Sequence, residues 1–299
     1  MTPMLATLIG EPFDGKGWIF EIKWDGYRAL GEKEKEVHLV SRNQKIFRQF
    51  PSINEELKKL PGKWVIDGEI VILDKKGRSN FQLLQNYQRK KVGPPVYFVF
   101  DLLSYQGKDL RHLPLVERRK ILKELLKKAR LKFIKFSEDI EEKGKAFFRL
   151  AKKQGLEGIM AKKEDSLYRS TRTRDWLKIK TGMRQEVVIG GFTKPKGGRA
   201  YLGALLVGVY RKGKLVYVGH VGGGFDQEGL KEMYLKLKKI ATEKCPFEEE
   251  PDPNTPVTWV KPKLVCEVKF AEWTEEGMLR QPVFMGIRVD KSPKDVVRE

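Results

Sequence analysis

Cysteine, histidine and acid are the scarce components of this chain. Its two cysteines, Cys245 and Cys266, stand far apart with no Cys-x-x-Cys spacing, which argues against a zinc site and predicts two reduced thiols. The three histidines, His38, His112 and His220, are scattered without a metal-ligand spacing and are assigned no chemistry. No apolar run approaches the ~18 residues of a membrane-spanning helix. Met1-Thr2-Pro3-Met4 has neither a basic leader nor a cleavage-like apolar stretch, so a cytoplasmic protein with no membrane partner is expected. Acids are outnumbered: 40 Asp+Glu against 60 Lys+Arg leave a net charge of +20 over 299 residues. That excess points to a polyanionic partner, nucleic acid ahead of an anionic membrane. Gly222-Gly223-Gly224 is not followed by Gly-Lys-Ser/Thr and is therefore no P-loop.

What the chain does hold is a lysine inside a strand pattern. In Glu21-Ile22-Lys23-Trp24-Asp25-Gly26-Tyr27-Arg28, the period-two positions Trp18, Phe20, Ile22 and Trp24 share one face and leave Glu21 and Lys23 on the other. Asp25-Gly26 then turns the chain. A lysine that attacks phosphorus at neutral pH must lose its proton. Lowering its pKa from about 10.4 to near 7 takes roughly 4 to 5 kcal/mol of environmental bias, which neighbouring cations and a metal ion can supply. Alone, Lys-x-Asp-Gly-x-Arg is also the pattern of an exposed hairpin turn.

The partners such a site needs follow in order. Ser41-Arg42-Asn43 ends a short strand, Val37 to Val40, with a guanidinium. Asp67-Gly68-Glu69 sets carboxylate in the apolar run Trp64 to Leu73, where it is costly unless used. Phe100-Asp101-Leu102-Leu103 closes the apolar run Val96 to Leu103, and Phe100 offers a flat surface to a purine or is simply core. Glu157-Gly158-Ile159-Met160-Ala161-Lys162 brings another carboxylate and lysine. Trp176-Leu177-Lys178-Ile179-Lys180 puts two lysines on one strand face.

The length predicts two domains. Residues 1–183 alternate strands with helices at Ser52 to Leu60, Leu115 to Arg130 and Gly144 to Gln154; the second has the apolar stripe Val116, Ile121, Leu122, Leu125 and Leu126. Thr181 to Arg184 reads as a hinge. Residues 184–299 then show five short strands and one helix, Gln227 to Thr242, the cadence of an oligonucleotide-binding (OB) Greek-key barrel, with Glu248 to Pro256 as a solvated loop.

Taken together, these motifs resemble the covalent nucleotidyltransferase superfamily, and within it ATP-dependent DNA ligases, most of all the ligase module of bacterial end-joining (LigD-type) ligases. Met4-Leu5-Ala6, Phe81-Gln82-Leu83-Leu84-Gln85, Cys245-Pro246-Phe247 and Arg280-Gln281-Pro282-Val283-Phe284 carry the narrower likeness, which runs from about residue 3 to about residue 288. The resemblance implies an α+β fold: a nucleotidyltransferase (adenylation) domain of antiparallel sheets and helices, then an OB-fold β-barrel. It implies ATP and Mg²⁺, with Mn²⁺ as a substitute, a monomer, nicked duplex DNA as substrate and a Ku-like end-binding protein as partner. Lys23 is then the nucleophile that forms lysyl-AMP. Lys178 and Lys180 neutralise the α-phosphate and favour the neutral amine. Glu21 and Ile22 flank the nucleotide, Arg28 and Arg42 hold ribose and phosphate or the DNA 5′-phosphate, and Phe100 stacks on adenine. Glu69 and Glu157 take the ribose hydroxyl and the metal, Lys162 is a third phosphate contact, and Arg280 orients the pyrophosphate, assisted by Arg288. Gln44 departs from the family pattern, which has glycine after Asn43. The rival readings are an RNA-capping guanylyltransferase or RNA ligase of the same superfamily, and a basic DNA-binding accessory protein with a dead nucleotide site.

Overall fold

The computed structural model describes residues 1–87, 93–195, 197–253 and 255–299, so residue 254 of the acidic loop lies outside the described residues. The chain divides into two units, Met1–Gly182 and Met183–Glu299.

The first unit contains two sheets. One has the order β1 (Leu5–Leu8), β11 (Arg172–Lys180), β10 (Gly158–Lys163), β2 (Trp18–Ile22), β9 (Asp139–Glu141). The other runs β4 (Val37–Ser41), β3 (Tyr27–Lys33), β5 (Trp64–Ile72), β6 (Pro95–Tyr105), β7 (Lys108–Asp109), with β8 (Ile134–Phe136) parallel to β6. Among the described residues four helices accompany them: α1 (Pro51–Lys58), α2 (Phe81–Gln85), α3 (Leu115–Lys127) and α4 (Gly144–Lys153). Apolar alternation decides what each face meets. Phe20, Ile159, Ala161, Leu177 and Ile179 pack on Ala151, Phe147 and Phe148 of α4, while Ile66, Ile70, Ile72, Tyr97 and Val99 cover α1, α2 and α3. Between the sheets, Ile19 and Trp176 of the first meet Leu30, Phe100 and Leu103 of the second.

Asp25-Gly26 is not a hairpin. β2 pairs with β9 and β10, whereas β3 pairs with β4 and β5, so the chain leaves one sheet and enters the other across Lys23–Gly26. The period-two face accordingly breaks after Ile22: Trp18, Phe20 and Ile22 share a cluster, but the Trp24 ring stacks on Phe98 of the second sheet at 3.7 Å. Glycine is required at the crossing because a Cβ on Gly26 would sit 2.1 Å from the Ile70 carbonyl oxygen. Gly26→Ala is expected to destabilise the first unit by about 1 to 3 kcal/mol, read as a lowered Tm; an unchanged Tm would show that the crossing has slack.

The helix α3 differs from its expected stripe. Its buried residues are Leu115, Arg118, Arg119, Leu122 and Leu125, while Val116 is exposed. Two arginines occupy the inner face because carboxylates await them there, a fact that hydrophobic periodicity does not encode.

In the second unit, β12 (Arg184–Thr193), β13 (Leu205–Arg211), β14 (Lys214–Val221), β15 (Ala241–Thr242), β16 (Val257–Val260), β17 (Val265–Lys269) and β18 (Val283–Ile287) form one sheet with α5 (Gln227–Lys238). It is the OB-fold region. β12 makes the corner: Arg184 to Val188 pair with β17, then Gly191 to Thr193 pair with β16. The register against β13 slips between Ile189 and Gly191. A Cβ at Gly190 would lie 2.4 Å from the Phe247 ring, so the bulge needs glycine to bend the strand over the core. Among the described residues seven strands replace the five expected. Ala241–Thr242 was hidden in the tail of a helical pattern, and Val257–Val260 is a short strand behind the proline-rich loop.

Candidate active site

Strand register assembles the site on one face of the first sheet. Ile19, Lys162 and Trp176 form one row across β2, β10 and β11; Glu21, Met160 and Lys178 form the next. One step further, the Lys23 N–H donates to the Gly158 carbonyl at 3.0 Å, and Gly158 lies opposite Lys180. Lys23, Lys178 and Lys180 therefore share a face, with a residue that has no side chain between the first and last. Ile22 packs on the opposite face, which leaves its backbone alone for the site.

Lys23 pairs with Glu157 at 2.6 Å, and their side chains are 19% and 4% exposed. A carboxylate this close stabilises a neighbouring ammonium.

The second sheet supplies the facing wall. Arg28, Glu69 and Phe98 form a row across β3, β5 and β6. Arg28 donates to both oxygens of the buried Asp67, at 2.5 and 2.6 Å, and its guanidinium lies 4.6 Å from the centre of the Phe100 ring. Burial disfavours this cation, but Asp67 outweighs it and the pKa of Arg28 is raised. Tyr168 donates its hydroxyl to the same carboxylate at 2.6 Å and accepts the Met4 N–H. Phe100 itself is 7% exposed and belongs to the core between the sheets.

Lys162 is the buried lysine of the site. It bonds Glu21 at 2.8 Å and lies 4.1 Å from the Phe100 ring centre and 4.3 Å from that of Trp176. Burial pushes its pKa down, against the pull of Glu21. Arg42 is half-buried just past β4, in a turn where Gln44 adopts a φ of 60°. The departure from glycine is thus met by a left-handed glutamine, at about 1 kcal/mol.

In the second unit, Arg280 is exposed and bonds Glu272 at 2.5 Å. Arg288 is instead half-buried against Asp290, at 2.8 and 2.9 Å, with Glu267 and Glu186 nearby. Burial again opposes the charge, these carboxylates prevail, and the pKa of Arg288 is raised.

The sequence reading gave Asp67 no role of its own and missed Tyr168, Arg118, Arg119 and Asp139. Arg118 is fully buried on both oxygens of Asp101 at 2.8 Å. The available signal was spacing: Leu115, Arg118, Arg119 and Leu122 fall at i, i+3, i+4 and i+7 of one helix.

Residues 3–180 match the family described as ATP dependent DNA ligase domain, and residues 198–291 match the ATP dependent DNA ligase C terminal region. The chain belongs to the ATP-dependent DNA ligases. Among its relatives in this family is the multifunctional non-homologous end joining protein LigD of Pseudomonas aeruginosa, 39% identical over 100% of this chain and 36% of that protein. The LigD of Mycobacterium tuberculosis H37Rv is 37% identical over 100% of this chain and 40% of its own length. The chain thus spans about two fifths of these relatives. A solved mycobacterial DNA ligase D complexed with ATP and MES superposes with a TM-score of 0.73 at 36% identity, covering 100% of this chain and 98% of that one. A DNA ligase of Methanococcus aeolicus is 33% identical over 98% of this chain and 56% of the relative, so the likeness reaches ligases outside the LigD group.

Proposed function

We propose that this chain seals 5′-phosphate/3′-hydroxyl nicks in duplex DNA through a lysyl-AMP intermediate, with Lys23 as the nucleophile. The observation that carries the reading is the sheet face on which Lys23, Lys178 and Lys180 converge, with Glu157 bonded to Lys23. The Lys23 amine, once deprotonated, attacks the α-phosphorus of ATP and pyrophosphate leaves. AMP then passes to the 5′-phosphate of the nick, and the 3′-hydroxyl displaces AMP as the phosphodiester forms. Positioning and charge neutralisation do most of this work.

Lys178 and Lys180 offset the developing charge on the α-phosphate. Phe100 receives the purine, with Glu21 and the Ile22 backbone beside it, and Lys162 must yield part of that ring. Arg28 and Arg42 are assigned to ribose and phosphates, and Arg280 to the pyrophosphate. Glu69 and Glu157 suit Mg²⁺ or Mn²⁺: they are hard oxygen donors, and among the described residues no group of three or more His, Cys, Asp or Glu forms a protein cage. That fits an ion held mainly by water and phosphate oxygens. Such an ion would supply charge neutralisation on the phosphates.

The relatives' end-joining role extends the proposal to broken DNA ends, with a Ku-like protein presenting them to a monomeric ligase in the cytoplasm. No helix among the described residues is long and apolar enough to cross a membrane.

The test is incubation with α-labelled ATP and Mg²⁺, then with nicked duplex. Label should join the protein covalently, move to the DNA and be released as AMP with a sealed strand. Preferential labelling by GTP would replace the reading with a capping enzyme, and no labelling by either would leave a DNA-binding protein.

A further inference from the structure

Arg119 of α3 ties the two sheets of the first unit together. Its Nη1 donates to Glu21 Oε1 at 2.8 Å and to the Phe100 carbonyl at 2.9 Å. Its Nη2 donates to the Ser137 carbonyl at 2.8 Å and to Asp139 at 2.5 Å. Glu21 and Asp139 are direct partners on neighbouring antiparallel strands, so two carboxylates lie side by side on one face and Arg119 bridges them. Phe100 belongs to the other sheet. One guanidinium therefore holds a carboxylate of the first sheet against the backbone of the second, in a fork that no other side chain can reproduce.

The effect passes on to Lys162 and the Phe100 ring. Glu21 Oε1, the atom that Arg119 holds, also accepts from Lys162, and Lys162 lies over the Phe100 ring. Arg119 is 5% exposed and sits behind these groups, so it reaches the site through them.

We propose that Arg119 is a positioning residue for the nucleotide: through Glu21 and the Phe100 backbone it sets the width of the gap that receives the purine and where Lys162 stands within it. This rests on the adenylyl-transfer reading above. A set width favours bound nucleotide throughout the reaction, so its loss falls on KM for ATP more than on the rate at saturation.

The experiment measures lysyl-adenylate formation by the full chain against ATP concentration, for wild type, Arg119→Lys, Arg119→Gln, Glu21→Gln and the Arg119→Gln/Glu21→Gln pair, with Tm for each. Arg119→Gln and Glu21→Gln should each raise KM about tenfold, and the pair should be no worse than the worse single variant, because both remove one contact. Arg119→Lys keeps the charge without the fork and should give a smaller KM rise. It decides the matter if Arg119→Gln does not fold. A lowered Tm with wild-type KM in Arg119→Lys, or additive effects in the pair, would reduce Arg119 to a structural tie and overturn the proposal. If wild type itself forms no lysyl-adenylate, the adenylyl-transfer reading fails first.

Discussion

Lys23→Ala should lose covalent AMP labelling by at least about a thousandfold, because no other group takes over when a covalent nucleophile is removed. The fold should survive. Lys23 lies past the end of β2 and its side chain reaches solvent, so truncation opens no core cavity. Glu157 loses a cation, which costs about 1 to 3 kcal/mol and should appear as a modestly lower Tm. Lys23→Arg should fail as completely: a guanidinium keeps the pairing with Glu157 but stays protonated at any pH below about 12. The two variants together separate charge from nucleophilicity. Labelling of either near the wild-type rate would move the nucleophile elsewhere on the sheet face, with Lys178 and Lys180 next to be tested.

Salt should divide the activities of the chain. A protein of net charge +20 that grips a duplex owes much of its affinity to counterion release. If six or more lysines and arginines meet phosphates, nick binding should fall roughly a thousandfold between 50 and 200 mM salt, with little dependence on the sequence around the nick. Self-adenylation should change far less, since its charges act at close range, inside a Debye length of about 8 to 10 Å. Nick binding and lysyl-adenylate formation followed over one salt series decide this. Flat DNA binding would reassign the positive charge to another partner, and parallel loss of both would point to a salt-sensitive fold.

Much of the architecture was legible because alternation is a local property. The strand carrying Lys178 and Lys180 and the OB cadence both follow from short apolar runs and the turns between them. What alternation cannot supply is the partner of a buried charge. Arg119 meets Glu21 across 98 positions of sequence, and Tyr168 meets Asp67 across 101. The stripe on α3 was read from its aliphatic residues, which placed Val116 inside and both arginines outside. The structure reverses that, since each guanidinium meets a carboxylate on the inner face. Trp24 was misplaced for a related reason: periodicity describes a strand while it stays in one sheet, and here the chain changes sheets at Lys23.

On the proposed reaction, the contact between Lys23 and Glu157 would give nucleotide binding the character of ion exchange. A phosphate arriving at Lys23 in that reaction would not fill an empty electropositive slot but would displace a carboxylate seated 2.6 Å from the amine. Affinity then reflects the difference between an old ion pair and a new one. The resting lysine is kept from stray anions by its own counter-ion, and a ligand too weakly charged to win the exchange leaves the amine as it found it.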